Sequence, residues 1–540
     1  MKSDCLDYRS ISGQNPLFLD YLFHPDRVRG FYPHHPGGLE DVVRSAEMVH
    51  RRSGISPGQM YPALEAFHRS IGAGERTMAN LKRLQSGTAA AVVTGQQVGV
   101  FGGPALTVYK ALSAVSLASG LRESGVPAVP VFWLASQDSD FEEVRSTWFF
   151  TAEGNLEAVN HPDTRHGSHQ MAGTAPIGKE PKALSEALRI LAGLGGGGRG
   201  IDLLDTCYRG TDFRTAFARW LIRLFADYGL VVVDPLLDFG SLDAFFLTAV
   251  DRRTPIIESL MQRTEELADS GYRPQVLVSP EESLLFLIQG DFRYKLVFQD
   301  GLYRAKGKPG FIRTPLDLQA EIENGQIRLG ASALLRPILQ DYLLPALVTI
   351  GGPAEVAYFA QTNAFVHFWD AATPILSRCG FTLVDHRSRR YLDRLGLTIT
   401  DILANPREAL MHSAFKRLGL GDLLGEFEDT ERQWRLKIQE LHRLTEPMDP
   451  PVAAMLNNAA EKILYQLNKV RNRLVLNQES RDSVTSRQLT YLLNQLKPRK
   501  QLQERVLNFN SFYEMEGKHL LERLLSVADV FNPVHHLIHL

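Results

Sequence analysis

The chain has 540 residues, which is too long for one hydrophobic core and predicts roughly two to four structural units. Its apolar fraction of 44% and charged fraction of 22% are those of a globular protein, and a net charge of −2 argues against a nucleic-acid binder. The chain shows neither a signal peptide nor an apolar stretch approaching the ~20 residues of a membrane span. We therefore expect a soluble cytoplasmic protein with no nucleic-acid or membrane partner.

The first part of the chain predicts helices followed by a parallel sheet. Residues 1–85 have a helical pattern with loop breaks. Residues 89–94 and 128–135 are short apolar runs typical of buried strands, and residues 105–118 between them predict a helix. Strand, helix and strand within about 45 residues form a βαβ unit, which implies a parallel sheet with a right-handed crossover. The fold class is therefore α/β.

The region 151–330 departs from this order. Residues 193–200 are a glycine tract, which predicts a flexible loop. Residues 230–233 predict another buried strand, whereas residues 276–279 and 284–288 predict short, more antiparallel strands. We interpret the region as an inserted subdomain that also supplies part of the main sheet.

Beyond residue 330 the strand-to-helix pattern returns. Residues 347–350 predict a strand that runs into a second Gly-Gly-Pro turn and a helix, and residues 382–384 predict a final strand. From about residue 400 the sequence becomes helical. The change indicates a separate helical unit at the C-terminal end.

Two helical stripes form this unit. The second follows a heptad spacing through Leu456, Ala460, Ile463, Leu467, Val470 and Leu474. The first, which Glu431 interrupts, comprises Phe427, Trp434, Ile438 and Leu441. Helix interiors do not tolerate proline, so we expect the helices to be joined by a turn containing Pro447, Pro450 and Pro451. The resulting antiparallel hairpin either forms a coiled coil that makes the protein a homodimer or packs against the main body.

The two Gly-Gly-Pro turns are the first candidate ligand site. One turn comprises residues 94–97 and 102–104, and the other comprises residues 351–353. Glycines allow a ligand to approach the backbone, helix starts attract carboxylate or phosphate, and Gln96 and Gln97 add amide groups. Because parallel sheets bind ligands at the carboxyl ends of strands, both turns are predicted to face one crevice. Alternatively, the glycines serve packing alone.

Neither turn has the sequence of a common nucleotide-binding loop. The chain has no P-loop, and residues 97–102 resemble the dinucleotide fingerprint only loosely. These departures argue against the commonest modes of nucleotide binding.

Charged residues near the turns extend this site. Asp138 and Asp140 follow the second strand and could bind an amine, a sugar hydroxyl or a metal, or act as a base. The same run fits a helix N-cap with first-turn acids, which is the role we expect for Glu142 and Glu143. Arg336 suits a carboxylate or phosphate but could equally belong to an ordinary ion pair. Likewise, Glu355 could serve the helix dipole or face an amine.

We expect no metal site built by the protein. His535 and His539 have the i,i+4 spacing of zinc ligands on a helix, but no third ligand type is near them in sequence. The odd number of cysteines, Cys5, Cys207 and Cys379, argues against a disulfide framework and suits a reducing cytosol. Near the end of the chain, a basic cluster around Pro498 could meet phosphate or solvate a helix end.

Taken together, these segments resemble the BshC family, the cysteine ligases of bacillithiol biosynthesis. The matching stretches are residues 94–97 and 102–104 with Lys110, residues 130–135 with Asp138 and Asp140, residues 335–337 with Gln340, residues 351–358 ending in Tyr358, and residues 503–508. They extend over most of the chain in the family's order. One position departs from the pattern: Ser139 stands where many relatives carry a histidine, so a mechanism that needs this histidine is in doubt here.

The resemblance implies a Rossmann-like parallel sheet core, similar to class I aminoacyl-tRNA synthetases, with inserted connecting-peptide subdomains and a C-terminal α-helical coiled-coil hairpin. We divide the chain into residues 1–150 (N-terminal helices and the first half of the core), 151–330 (the connecting-peptide region with part of the core sheet), 331–400 (the second half of the core), 401–500 (the hairpin) and 501–540 (a segment returning to the core). The coiled coil is implied to support a homodimer.

The implied reaction joins the carboxyl group of cysteine to the amine of glucosaminyl malate. Amide formation from a carboxylate needs activation, which by analogy uses ATP, with or without magnesium. Asp138 or Asp140 would bind the amine. The predicted substrate or nucleotide contacts are Thr94, Gly95, Gln96, Gln97, Gly102, Gly103, Lys110, Arg336, Gln340, Gly351, Gly352, Glu355 and Tyr358. The competing hypotheses are a non-catalytic scaffold that binds a nucleotide or thiol, and an adenylating enzyme similar to the synthetases, although the synthetase signatures are not evident.

Overall fold

The structure is a computed structural model that describes residues 4–49, 57–240, 242–371, 373–415, 421–481 and 483–540. The helices in this part of the chain are α1 (Pro16–Phe23), α2 (Pro25–Val28), α3 (Leu39–Val49), α4 (Pro57–Ser70), α5 (Glu75–Gln85), α6 (Leu106–Glu123), α7 (Phe141–Val144), α8 (Lys182–Gly193), α9 (Arg199–Cys207), α10 (Phe213–Leu224), α11 (Asp243–Asp251), α12 (Arg253–Asp269), α13 (Pro315–Glu323), α14 (Arg336–Leu343), α15 (Pro353–Thr362), α16 (His386–Leu395), α17 (Ile399–Ala404), α18 (Arg407–Phe415), α19 (Gly421–Thr445), α20 (Pro450–Arg481), α21 (Ser483–Leu496), α22 (Gln503–Val506), α23 (Phe509–Glu516) and α24 (Lys518–Leu525).

The strands form three larger sheets and two short hairpins. They are β1 (Asp4–Asp7), β2 (Ala90–Gln96), β3 (Ala128–Leu134), β4 (Ser146–Phe150), β5 (Leu156–Asn160), β6 (Pro176–Ile177), β7 (Thr211–Asp212), β8 (Val231–Val233), β9 (Glu282–Gln289), β10 (Phe292–Gln299), β11 (Leu302–Ala305), β12 (Ile312–Arg313), β13 (Arg328–Ala331), β14 (Ala346–Gly351), β15 (Ile375–Ser377), β16 (Gly380–Val384) and β17 (Val534–His539).

The core is a parallel sheet in the order β15-β14-β2-β3-β8. Its strands are buried on both faces, which explains why they read as continuous apolar runs. Val131 and Trp133 of β3 pack into one hydrophobic cluster and Phe132 and Leu134 into another, so the sheet divides the core into two layers. The predicted βαβ unit is confirmed as β2, α6 and β3, and β8 and β14 are the other two predicted core strands.

The inserted region builds a second sheet, β12-β11-β10-β9-β13, which is antiparallel throughout. The predicted strand at residues 284–288 lies inside β9. The predicted strand at residues 276–279 is wrong, because no strand forms there. Instead, the side-chain amide of Gln361 pairs with the backbone of Val276, accepting from its N–H at 2.9 Å and donating to its C=O at 2.8 Å.

The two ends of the described chain meet in a third sheet. Strand β17 pairs with β1 on one side and with β16, which contains predicted residues 382–384, on the other. His535 and His539 therefore lie in a strand, and the helical spacing assumed for them is wrong. Residues four apart in a strand are separated by about 13 Å, which is too far for two side chains to share a metal as helix neighbours do.

The glycine tract between α8 and α9 is held in place and is not a free loop. The carboxylate of Glu514, which is buried in α23, accepts hydrogen bonds from the N–H groups of Gly198 at 2.6 Å, Gly200 at 2.7 Å and Ile201 at 3.1 Å. A carboxylate is favoured at this position because it faces the start of α9. The lack of side chains at its glycines thus lets the backbone of the tract come close to Glu514.

Helices α19 and α20 form the predicted hairpin, with Pro450 at the start of α20. The buried stripe of α20 differs from the heptad prediction because it includes Leu464, whereas Ile463 and Val470 are exposed. In α19, Ile438 is buried, but Trp434 and Leu441 are exposed. One contact between the two helices is polar. Glu431 of α19 pairs with Arg471 of α20 at 3.7 Å, which places the residue after Val470 toward α19.

His68 joins α4 to the core sheet and makes the fold sensitive to acid. Its Nδ1–H donates to the carbonyl of Leu64 at 2.7 Å, and its Nε2 accepts from the N–H of Val232 in β8 at 3.0 Å. Burial lowers the pKa of His68 to about 4. The folded state therefore keeps this imidazole neutral at pH values where the unfolded chain, with a pKa of about 6.5, takes up a proton.

We predict that acidification from pH 7 to pH 5 costs the fold about 2 kcal/mol through His68, because only the unfolded state gains the proton in this window. His68→Gln should lower the melting temperature at pH 7 and also reduce the further drop between pH 7 and pH 5. His519→Gln, at an exposed position in α24, is the control. An acid-induced drop as large in His68→Gln as in the unchanged protein would contradict this assignment.

Candidate functional site

The two halves of the core sheet meet at a crevice of about 360 Å³ at the carboxyl ends of β2 and β3 and the start of α15. The predicted residues that line it are Gly95, Gln96, Gln97, Lys110, Asp138, Arg336, Gly352, Glu355 and Tyr358. Segments far apart in sequence therefore contribute to one cavity. This position agrees with the general rule that open parallel sheets bind ligands beyond the carboxyl ends of their strands.

Lys110 lies at the base of the crevice. Its ammonium donates to the carbonyl of Gly95 and to Oε1 of Gln96, both at 2.8 Å, and forms an ion pair with Glu355. Burial lowers the pKa of Lys110, and the adjacent Glu355 carboxylate opposes this effect. The lysine thus ties the first turn to the helix that follows the second turn.

Glu355 begins α15 and is shared among several partners. Its carboxylate accepts the N–H of Gly352 at 2.9 Å, which caps the helix, and it lies 3.8 Å from the guanidinium of Arg336. Glu355 therefore serves the helix start, and the cations that it faces are those of the protein itself; its binding of a substrate amine stays a prediction. With Lys110 and Arg336 beside it, Glu355 is largely engaged by the protein.

Arg336 forms one wall of the crevice. Its guanidinium donates to the hydroxyl of Tyr358 at 2.5 Å and approaches Oε1 of Gln340 at 3.4 Å. Gln340 lies behind this wall and donates to Oγ1 of Thr349 at 2.9 Å. Burial raises the pKa of Tyr358 to about 12, so the phenol is neutral and accepts the hydrogen bond from arginine. Arg336 is positioned by these contacts.

The opposite side of the crevice is acidic. The side-chain amide of Gln97 donates to both Asp138 and Glu143, each at 2.7 Å. Glu143 was expected to serve only the first turn of a helix, but it lines the crevice. Asp140 instead caps α7, with its carboxylate accepting the N–H of Glu143 at 3.3 Å, and is not among the lining residues. Of the two aspartates, Asp138 lines the crevice and Asp140 does not.

The geometry contradicts the prediction that Gly102 and Gly103 hold an anion. The Gly102 N–H donates to the hydroxyl of Tyr208 at 2.8 Å, and the Gly103 N–H donates to the carbonyl of Val100 at 3.0 Å. A side chain at Gly102 would overlap the ring of Trp220. These glycines serve packing, which was the alternative interpretation.

The start of α6 is closed by the C-terminal segment. The Ala105 N–H donates to the carbonyl of Leu507 at 2.8 Å, and the Asn508 amide donates to the carbonyls of Phe101 and Gly103 at 2.9 and 3.0 Å. Asn510 adds a second amide contact to Phe101 at 2.8 Å. The Ala105 N–H is therefore not available to a ligand, although Leu106 at the start of α6 lines the crevice.

Thr94 and Gly351 are also buried in the sheet and do not line the crevice. The Thr94 hydroxyl donates to the carbonyl of Ile350 at 2.9 Å, which joins β2 to β14. A Cβ at Gly351 would lie 2.6 Å from the side chain of Ile375, so the glycine permits close packing of β15. Both residues shape the floor of the site from within the sheet.

Sequence reasoning missed two arginines of the crevice. Arg378, in the loop after β15, is buried and forms a two-pronged ion pair with Glu504 at 2.5 and 2.9 Å. Arg505 lines the crevice beside it. The family resemblance includes residues 503–508, but no local pattern places Arg505 at the crevice. Nothing in the sequence around Arg378 pointed to this site.

Comparison with known proteins shows to which family the sequence belongs. Residues 1–378 match the sequence model "Bacillithiol biosynthesis BshC, N-terminal Rossmann-like domain", and residues 381–540 match "Bacillithiol biosynthesis BshC, C-terminal coiled-coil domain". The chain belongs to the BshC family.

Curated relatives of the BshC family align with nearly the whole chain. A protein of Solibacter usitatus is 32% identical over 534 residues, covering 97% of each chain, and one of Koribacter versatilis is 31% identical over 542 residues, covering 100% of each. A protein of Geobacillus thermodenitrificans is 28% identical over 503 residues, covering 88% of this chain and 89% of the relative. All three carry the name "Putative cysteine ligase BshC".

Two further observations on this BshC family member concern metal ions and membranes. Within the described ranges, no group of three or more histidine, cysteine, aspartate or glutamate side chains is arranged to hold a metal ion. In the same part of the chain, no helix combines the length and apolar character needed to cross a membrane.

The crevice has two chemically distinct ends. Asp138 and Glu143, joined through Gln97, provide carboxylates and form the acidic end, whereas Arg336 and Arg505 provide guanidinium groups and form the basic end; Arg378, which also lines the crevice, is already paired with Glu504. Such a site suits a ligand that carries an amine at one end and carboxylate or phosphate groups at the other.

Proposed function

We propose that this BshC family member is the cysteine ligase of the last step of bacillithiol biosynthesis. It would join the carboxyl group of L-cysteine to the amine of glucosaminyl malate. The observation that carries this proposal is the crevice with one acidic and one basic end. Glucosaminyl malate has the matching chemistry, since it combines a sugar amine with the carboxylates of malate.

The acidic end is the proposed site of the reacting amine. An ammonium group would be held by Asp138, whose position is maintained by the amide of Gln97. Amide formation requires the neutral amine, so a proton must leave this nitrogen before or during attack on the cysteine carboxyl carbon. Asp138 is the crevice carboxylate that we assign to accept it. This assignment does not involve position 139, where Ser139 replaces the family's histidine.

The basic end is the proposed site of malate. Arg336 can offer its guanidinium to a carboxylate because its position is supported by Tyr358 and Gln340. The charge of Arg378 is balanced by its ion pair with Glu504, so Arg336 is the guanidinium assigned to malate. Carboxylates held here would place the sugar amine toward Asp138, which orients the nucleophile for reaction.

Activation of the cysteine carboxyl group is proposed to use ATP. A free carboxylate has a poor leaving group. ATP would convert it to an acyl-adenylate or acyl-phosphate with release of pyrophosphate or ADP, and attack by the amine would then form the amide as the carboxyl oxygen leaves with AMP or inorganic phosphate. Arg505, which lines the crevice, is the residue that would bind phosphate groups, since Arg378 is paired with Glu504 and the Gly352 N–H at the start of α15 is capped by Glu355. Any magnesium ion would be expected to accompany the phosphates, as is usual for nucleotide-bound magnesium.

The hairpin is the proposed homodimer interface. Apolar side chains remain exposed along both of its helices, with Trp434 exposed by 44%, Ile463 by 43% and Val470 by 58%. Packing of this face against the same face of a second copy would remove them from water and form an isologous contact. Charged residues flank the stripe, as is common in coiled coils.

The ligase proposal is tested by incubating the purified protein with ATP, cysteine and glucosaminyl malate and measuring bacillithiol with AMP or ADP. Asp138→Asn should reduce product formation by at least about 100-fold, because the amine loses its proton acceptor. Arg336→Ala should raise the KM for glucosaminyl malate. Asp140→Asn is the matched control, since asparagine can still cap α7.

Absence of product from the folded, unchanged protein with any nucleotide would overturn the ligase proposal. If cellular bacillithiol persists in the Asp138 and Arg336 variants but disappears after deletion of the hairpin, the protein acts as a scaffold instead.

A further inference from the structure

The loop that carries Asp138 is held from outside the core. We call residues 136–139, which follow β3 after Ala135, the acidic loop. Its four successive carbonyls each accept a hydrogen bond from the inserted region. The pairs are Ser136 with the N–H of Gly173 at 3.0 Å, Gln137 with the Arg293 guanidinium at 3.1 Å, Asp138 with the N–H of Ala172 at 2.6 Å, and Ser139 with the Arg165 guanidinium at 2.8 Å.

Part of this contact requires glycine. A Cβ at Gly173 would lie 2.6 Å from the carbonyl oxygen of Ser136, a distance that real Cβ atoms essentially never show. The backbones of the inserted region and the acidic loop are therefore in direct contact. The inserted region is part of the wall that determines where Asp138 lies.

Of the residues that make these contacts, Arg293 also binds a second segment of the chain. It lies in β10, and its guanidinium stacks on the ring of Phe286, 3.4 Å from the ring centre. One Nη atom donates to the carbonyl of Gln137, and the other donates to the carbonyl of Ala331, also at 3.1 Å. Burial lowers the pKa of Arg293 to about 10, which leaves the side chain charged at neutral pH. A planar fork on an aromatic ring is well suited to fix two carbonyls at once.

The two carbonyls belong to segments that lead to different residues of the crevice. Gln137 directly precedes Asp138. Ala331 ends β13 and lies five residues before Arg336, whose N–H donates to the carbonyl of Ser332 at 2.8 Å at the start of α14. One side chain of the inserted sheet therefore connects the loop carrying the acidic end to the segment leading into the basic end.

We propose that Arg293 is a positioning residue that sets the separation between Asp138 and Arg336, and thereby selects a ligand that spans both. This inference rests on the proposed function, because it takes glucosaminyl malate as the spanning ligand. Arg293 does not itself line the crevice, so it acts through the two segments that it joins.

The proposal makes a selective prediction about binding. A ligand held at both ends gains affinity only if the ends are correctly spaced, whereas a ligand held at one end does not depend on the spacing. Loss of Arg293 should therefore weaken the binding of glucosaminyl malate by at least about 10-fold. A misplacement of reacting groups by about 1 Å can reduce a reaction rate by about 100-fold, which shows how strongly such effects depend on geometry. Binding of malate alone, which needs only the basic end, should change by less than about 2-fold.

The experiment is isothermal titration of the full-length protein with glucosaminyl malate and, separately, with malate. Arg293→Met removes both hydrogen bonds and keeps an apolar side chain on Phe286. Arg293→Lys keeps the charge but cannot present the planar fork to both carbonyls. Arg313→Met is the matched control, because Arg313 also belongs to the inserted sheet, stacks on Phe311 at 4.7 Å and pairs with Glu321 at 2.6 Å.

Selective loss of glucosaminyl malate affinity in both Arg293 variants, with Arg313→Met unchanged, is the expected result. If Arg293→Met fails to fold, the same selective loss in Arg293→Lys is required. Equal weakening of both ligands, or no weakening of either, would overturn the positioning role while leaving the ligase proposal standing. Failure of the unchanged protein to bind glucosaminyl malate would instead refute the proposed function, and the inference with it.

Discussion

The rest of the site depends on the contacts that the buried ammonium group of Lys110 makes. It donates to the carbonyl of Gly95 and to the side-chain oxygen of Gln96 at the end of β2, and it pairs with Glu355 at the start of α15. Burying a charge is costly unless it is paired and hydrogen-bonded, and removing one partner of a buried pair typically costs about 3–5 kcal/mol. The two halves of the core are thus held at a defined position around the crevice.

Much of the fold could be predicted because its core strands are buried on both faces. Residues 128–135, for example, form a continuous apolar run that only a buried strand or helix can use. The prediction failed where tertiary contacts replaced local pairing. The backbone of Val276 pairs with the side chain of Gln361, and no local pattern signals a partner that is 85 residues away.

The hairpin illustrates a different limit of sequence patterns. A heptad spacing placed Ile463 in the seam, but an α-helix has 3.6 residues per turn and drifts from a strict repeat of 3.5. Leu464 occupies the buried position instead. The helices and their turn were predictable from proline and periodicity, whereas the exact face was not.

The candidate site was predictable in part for a physical reason. Strand ends followed by glycine and polar residues collect at one edge of a parallel sheet, so Gln97, Asp138 and Glu355 meet there. Gly102 and Gly103 were misassigned because Asn508 and Asn510, some 400 residues later, cover that turn. Arg378 was missed because its position depends on a buried ion pair with Glu504, which no local motif reveals.

The central claim is that one crevice binds an amine at Asp138 and carboxylates at Arg336. A crystal structure of the protein with bound glucosaminyl malate tests it most directly. The sugar nitrogen should lie within hydrogen-bond distance of the Asp138 carboxylate, and a malate carboxylate should lie on the Arg336 guanidinium. A ligand bound in the reverse orientation, or outside the crevice, would contradict it.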